Sequence, residues 1–206
     1  MRIERLENSK RKQERVLVYL EDGSILRITG AELLQFGLYQ GLDLPPETLA
    51  ALEAAARRSD TKRRGANMAA GRMLSKKELT SRLTRKGASP EDAADTADWL
   101  EELGAVDDAA YAGVIARHYG AMGCGAGRVR QELHRRGVPK ELWDEVLAQL
   151  PPPEEAIRKF LRTKLRGRPL TPEDSRRMAA ALQRRGFSWQ DIRPALNELG
   201  QEIDEA

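Results

Sequence analysis

Cysteine is nearly absent from this chain of 206 residues: only Cys124 occurs. One thiol closes no internal disulfide, and Gly123-Cys124-Gly125 has no metal-ligand spacing around it, so a reducing cytoplasm is the expected setting. Histidine is almost as scarce. Neither His118 nor His134 has the i, i+4 His or Cys companion that a helical metal site needs. Aromatic residues make up 5% of the chain, so the core must come from Leu, Ala, Val and Ile, a composition that favours helices. No apolar stretch approaches the roughly 20 residues that span a bilayer. The apolar run at residues 16–20 is too short for the core of a signal peptide. A phosphate loop, a serine elbow and a coherent acid pair are also missing, so neither catalysis nor a cofactor is expected.

What the chain does have is charge, at 33% of residues against 40% hydrophobic. With 35 Lys and Arg against 32 Asp and Glu the balance is near neutral, but the signs are segregated. Residues 57–86 carry eleven cations and two acids. Residues 88–109 carry eight acids and no cation. Residues 158–185 carry ten cations and two acids. Alternating blocks of this kind predict a folded protein with charged faces that can steer a charged partner.

The first fifty-eight residues differ from the rest. Residues 15–20 and 24–29 are β-prone, and Glu21-Asp22-Gly23 between them suits a tight turn. A β-hairpin over 14–29 is predicted. A short helix at 31–36, ended by Gly37, and a second over about 46–58, opened by Pro45-Pro46, should follow. Residues 59–66 are polar and basic, and read as a linker or as the start of the next helix.

From about residue 67 the pattern is helical, and it repeats. Leu83-Thr84-Arg85-Lys86-Gly87 returns as Leu133-His134-Arg135-Arg136-Gly137 and as Leu182-Gln183-Arg184-Arg185-Gly186. Four residues before each leucine stands Leu79, Val129 or Met178. Beyond each glycine a second stripe follows: Ala93, Ala97 and Leu100; then Trp143, Leu147 and Leu150; then Ile192, Leu196 and Leu199. A further helix precedes each copy, at 66–74, at 108–122 with Tyr111, Ile115, Tyr119 and Met122, and at 154–165 with Ile157, Leu161 and Leu165. Ser75-Lys76-Lys77-Glu78 has the form of a capping box, and Ser89-Pro90 and Thr171-Pro172 mark further helix starts. One short helix cannot bury its stripe, but three closing on a small core can. The fold class expected is therefore mainly α: three tandem three-helix repeats in an elongated array, preceded by the hairpin part. The divisions are 1–58, 59–105, 106–151 and 152–206. Gly87, Gly137 and Gly186 should end their helices in the left-handed conformation.

Three segments resemble the RecX family of recombinase regulators. They are Ser75-Lys76-Lys77-Glu78-Leu79 with Leu83 and Lys86-Gly87; Val106-Asp107-Asp108-Ala109-Ala110-Tyr111-Ala112; and residues 127–138, which include Glu132, Leu133 and Gly137. Tyr111 stands where phenylalanine is commoner in the family. The resemblance implies a monomer that binds the RecA filament, hinders its growth and so dampens recombination and the SOS damage response. Single-stranded DNA is left open as a second partner.

The residues that could carry binding are the cations of the middle helices: Lys76, Lys77, Arg82 and Arg85; Arg128, Arg130 and Arg135; Arg176, Arg177 and Arg184. Helical geometry turns Arg85, Arg135 and Arg184 away from their apolar stripes, where a guanidinium can fork onto phosphate or carboxylate. The plainer alternative is a solvated face, with last-turn cations such as Lys86, Arg136 and Arg185 complementing the helix dipole. The acids of 91–102 could meet a basic partner or their own unit's basic helix. Asp107 and Asp108 read as a helix cap and a first-turn acid. A nucleic-acid-binding array that uses the basic middle helices is the alternative function, and a steep salt dependence would reveal it.

Overall fold

Contacts along the chain group Met1–Arg72 with Leu79–Ala105, and Met73–Glu78 with Val106–Ala206. The computed structural model describes residues 1–9 and 15–204, with side chains to residue 199.

In the first unit, alternation builds a sheet. Val16, Val18 and Leu20 of strand β2 (Arg15–Leu20) are buried, while Leu17 and Tyr19 take the other face. Strand β3 (Ile25–Thr29) pairs antiparallel with β2, setting Val16 opposite Ile28. This is the expected hairpin, turning through Gly23 at φ 80°. Glu14, its expected first residue, lies outside the described residues. A further strand, β1 (Ile3–Asn8), pairs with the other edge of β2, with Leu6 opposite Val18. Charged side chains between its apolar positions hid it from a search for β-prone runs. Ile3, Val18, Leu20, Ile28, Leu38, Leu44 and Leu52 close the core beneath the sheet.

Helix α1 (Gly30–Gln35) opens with a full capping box: Glu32 N–H donates to Thr29 Oγ1 at 3.2 Å and Thr29 N–H to Glu32 Oε2 at 2.7 Å. Helix α2 (Pro46–Gly71) corrects the sequence reading, because 46–58, the polar 59–66 and most of 66–74 form one helix of 26 residues. Its polar middle is held locally and from the sheet. Asp60 accepts from Arg63 at 2.5 Å and Arg64 at 2.6 Å, and the buried Arg15 donates to Ser59 Oγ at 3.0 Å. Farther along, Gly65 is buried because helix α4 (Pro90–Glu102) passes close. A Cβ at Gly65 would lie 2.6 Å from Thr96 Cγ2. Helix α3 (Lys76–Arg85) brings Leu79 and Leu83, both fully buried.

The second unit holds helices α5 (Asp108–Ala121), α6 (Ala126–Arg136), α7 (Trp143–Ala148), α8 (Pro153–Leu165), α9 (Pro172–Arg184) and α10 (Trp189–Asp204). Two separate cores match the repeat pattern. Tyr111, Ile115, Val129 and Leu133 anchor one; Ile157, Leu161, Met178, Leu182, Ile192 and Leu196 anchor the other. Several expected stripe positions are corrected, with Tyr119, Leu150 and Leu199 only partly buried. Trp143 and Leu147 are only partly buried, because a 3₁₀ turn (Lys140–Leu142) precedes α7 and rotates Val146 inward instead. Met122 follows the last turn of α5 and is 56% exposed. Fully burying a leucine such as Leu133 contributes about 1.5–3 kcal/mol, which is how helices this short stay folded.

Candidate partner-binding surface

The cations singled out in the sequence do not form one cluster. They fall into three kinds of environment. Arg85, Arg130, Arg176 and Arg184 are exposed to solvent. Arg85 uses its Nε on its own helix, donating to Ser81 O at 3.4 Å. Arg177 is exposed at the start of α9 and pairs with Asp174 one turn earlier. Arg82 is half-buried on α3. The outward position repeats as helical geometry predicts: Arg85, Arg135 and Arg184 are all exposed on their helices.

Around Glu132 the arrangement is different. This carboxylate is buried, yet three arginines of its own helix reach it. Arg128 approaches Oε1 at 3.1 Å from one turn before, and Arg135 grips Oε2 through Nε at 3.0 Å and Nη2 at 2.5 Å. Arg136 lies at 3.9 Å. Burial pushes the Glu132 carboxyl toward protonation. The Arg135 hydrogen bond, the charges of Arg135 and Arg128 and the Tyr119 hydroxyl outweigh it and hold the pKa below the ordinary glutamate value. Arg135 in turn has its pKa raised by Glu132. So Arg135 is outward without being independent of the fold.

The remaining motif residues converge on one structural task, the fixing of Met73–Glu78 in the second unit. Asp107 caps α5, its carboxylate accepting Ala110 N–H at 2.8 Å. Asp108, read from sequence as a first-turn acid, is buried and accepts Lys76 N–H at 2.9 Å. The fully buried Ser75 takes Glu78 N–H on its hydroxyl at 3.0 Å and donates to the carbonyl of Arg136. The Arg136 guanidinium donates to the buried Tyr111 hydroxyl at 2.6 Å. The stem of Lys77 lies against Gly137, which is left-handed at φ 71°. Lys76 and Lys77 therefore serve this joint, and Leu133 is fully buried in the core that also holds Tyr111.

Sequence reasoning missed Ser75 and Arg136 as members of this network. The signal was present in part: Arg136 stands four residues after Glu132, and Ser75 was already marked as a cap. Nothing in the sequence placed either beside the other. Among the described residues, no group of three or more His, Cys, Asp or Glu could hold a metal ion, and no helix is long and apolar enough to cross a membrane.

Known proteins match this arrangement. The family models for the second and third three-helix domains of RecX match residues 107–147 and 153–196. Regulatory protein RecX of Halorhodospira halophila is 33% identical over 128 residues, covering 61% of this chain and 80% of that protein. Its counterpart in Mycolicibacterium smegmatis is 35% identical over 127 residues, covering 57% and 67%. The regulatory protein RecX of Lactobacillus delbrueckii is 29% identical over 211 residues, covering 96% and 75%. A crystal structure of a regulatory protein RecX has the same fold, with a TM-score of 0.74 at 23% identity over 95% of this chain and 98% of that one.

Proposed function

This chain belongs to the RecX family, and from that membership we propose that it is a non-enzymatic cytoplasmic regulator that binds the RecA recombinase filament. Binding inhibits filament growth and activity, and so modulates homologous recombination and the SOS response. The contacts come from the middle helices, with Arg85 and Arg184 as the recurrent outward cations that, unlike Arg135, do not grip the buried Glu132. The observation that carries this reading is their recurrence: one outward arginine stands at the same position of three equivalent helices, exposed in each. A filament presents its surface at regular intervals, and several weak contacts on one chain then act together through high effective concentration. The array is read in this proposal as an N-terminal part joined through α2, which runs across the 58/59 division, to a first repeat ending at 105, then repeats 106–151 and 152–206, acting as a monomer.

The experiment is recombinase ATP hydrolysis on single-stranded DNA with rising amounts of this protein. Inhibition well below one protein per recombinase subunit is the expected result, because blocking filament growth needs few molecules. Inhibition only at saturating amounts, or none, contradicts it. Tight binding to bare DNA that weakens steeply with salt favours the nucleic-acid array instead.

A further inference from the structure

Each middle helix ends on a carbonyl just before its glycine: Lys86, Arg136 and Arg185. In the second unit two of these carbonyls receive the start of another middle helix. Arg136 O accepts the hydroxyl of Ser75, the residue before α3. Arg185 O accepts Gly125 N–H at 2.9 Å, and Gly186 O accepts Gly127 N–H at 2.9 Å, from the start of α6. The negative end of one helix thus meets the positive end of the next. The approach is close enough to dictate residue type. A Cβ at Gly125 would lie 2.5 Å, and at Gly127 2.9 Å, from Gly186 O, and one at Gly186 would overlap the backbone nitrogen of Arg128.

The third carbonyl has no earlier repeat to receive. Lys86 O is taken instead by a side chain: Arg64 of α2 donates from Nη1 at 3.0 Å, with its Nε held on Asp60 at 2.6 Å. The space beside Gly87 is open, with nothing within 4 Å of a Cβ built there. At the opposite end of the series, the start of α9 is built differently from both of these donors. Counted from the helix start, Thr171 and Glu173 stand where α6 has Gly125 and Gly127; counted from the repeated leucines, Asp174 and Arg176 do, so either register puts side chains there. The Thr171 hydroxyl, which stands where Ser75 stands in α3, spends its proton on Asp174 Oδ2 at 3.0 Å.

We propose that Arg64 is a plug: it occupies the carbonyl that the other repeats use for joining, and with the blocked start of α9 it closes the array against head-to-tail addition of a second copy. Open ends of repeat proteins need such caps. Here the cap is one guanidinium from the helix that precedes the first middle helix.

Two measurements test this on the full chain. First, the Lys86 carbonyl ¹³C resonance should move upfield in Arg64→Ala as its hydrogen bond is lost, while those of Arg136 and Arg185 stay in place. An unmoved Lys86 resonance overturns the proposal. Second, sedimentation velocity from dilute to millimolar protein compares the wild type, R64A, T171G/E173G and the combined R64A/T171G/E173G, with circular dichroism as the fold control. Only the combined variant should sediment faster as concentration rises. A combined variant that is folded yet stays at the wild-type sedimentation coefficient overturns the proposal, as does equal association by the wild type or by T171G/E173G alone. If the combined variant misfolds, the ¹³C result alone decides.

Discussion

Helices α6 and α9 end on nearly the same words, Leu133-His134-Arg135-Arg136-Gly137 and Leu182-Gln183-Arg184-Arg185-Gly186, yet they use their arginines in opposite ways. In α6, Arg128 and the outward Arg135 both pair with one buried carboxylate, and Arg136, 3.9 Å from it, donates to the Tyr111 hydroxyl. In α9, Arg184 stays in solvent, and Arg185 lies over the Phe160 ring at 4.9 Å and reaches the carbonyls of Met122 and Gly123 at 3.4 Å. One position explains the difference: where α6 has Glu132, α9 has Ala181 and α3 has Arg82. A cationic helix ending is thus neither structural nor available by itself. The residue one turn earlier on the same face decides.

What the two helices share should matter most. Leu133 and Leu182 are both fully buried, and Leu→Ala at either should cost roughly 2–5 kcal/mol in urea unfolding. A loss below about 1 kcal/mol at one of them breaks the equivalence of the repeats. The glycines come next. Gly186→Ala should cost about 3 kcal/mol, combining a left-handed backbone with a collision against Arg128. At Gly87, where the space is open, only the backbone cost of about 1 kcal/mol is expected. Equal losses would mean that the α6–α9 joint does not constrain Gly186.

The carboxylate sharpens the contrast further. Glu132→Gln should cost about 1–2 kcal/mol near neutral pH, a modest figure because the arginines around it are partly exposed. The pH dependence has a definite sign. The folded pKa of Glu132 lies below its unfolded value, so the ionised group stabilises the fold above the unfolded value, and that contribution is lost as pH falls through the folded one. The gap between wild type and E132Q should therefore narrow on acidification, and a gap that widens contradicts the assignment. Smallest of all, Arg184→Ala should change stability by less than about 0.5 kcal/mol.

Periodicity made the repeats legible. The Leu-x-x-x-Gly endings and the stripes around them located both cores of the second unit, because a helix that buries one face has to show it at intervals of three and four. It failed where backbone geometry shifts the phase, as in the 3₁₀ turn before Trp143. It failed again where a helix is held by polar pairs rather than an apolar stripe, as through Asp60 and Gly65 of α2. At the candidate surface, the sequence placed Arg85, Arg135 and Arg184 outward. It could not tell which was already bound, since Glu132 looks like any surface acid until its burial is known. The joint of Ser75, Asp108 and Arg136 joins residues up to 61 positions apart, beyond the reach of any local pattern.

The most direct test of the functional account is the affinity of R85E/R184E for RecA filaments on single-stranded DNA, beside wild type, with thermal unfolding as the control. Both positions are exposed, so unfolding should be unchanged. The account predicts that filament binding is lost or severely weakened and that each single variant has a smaller effect. A doubly reversed protein that is stably folded and binds filaments as tightly as the wild type would contradict it.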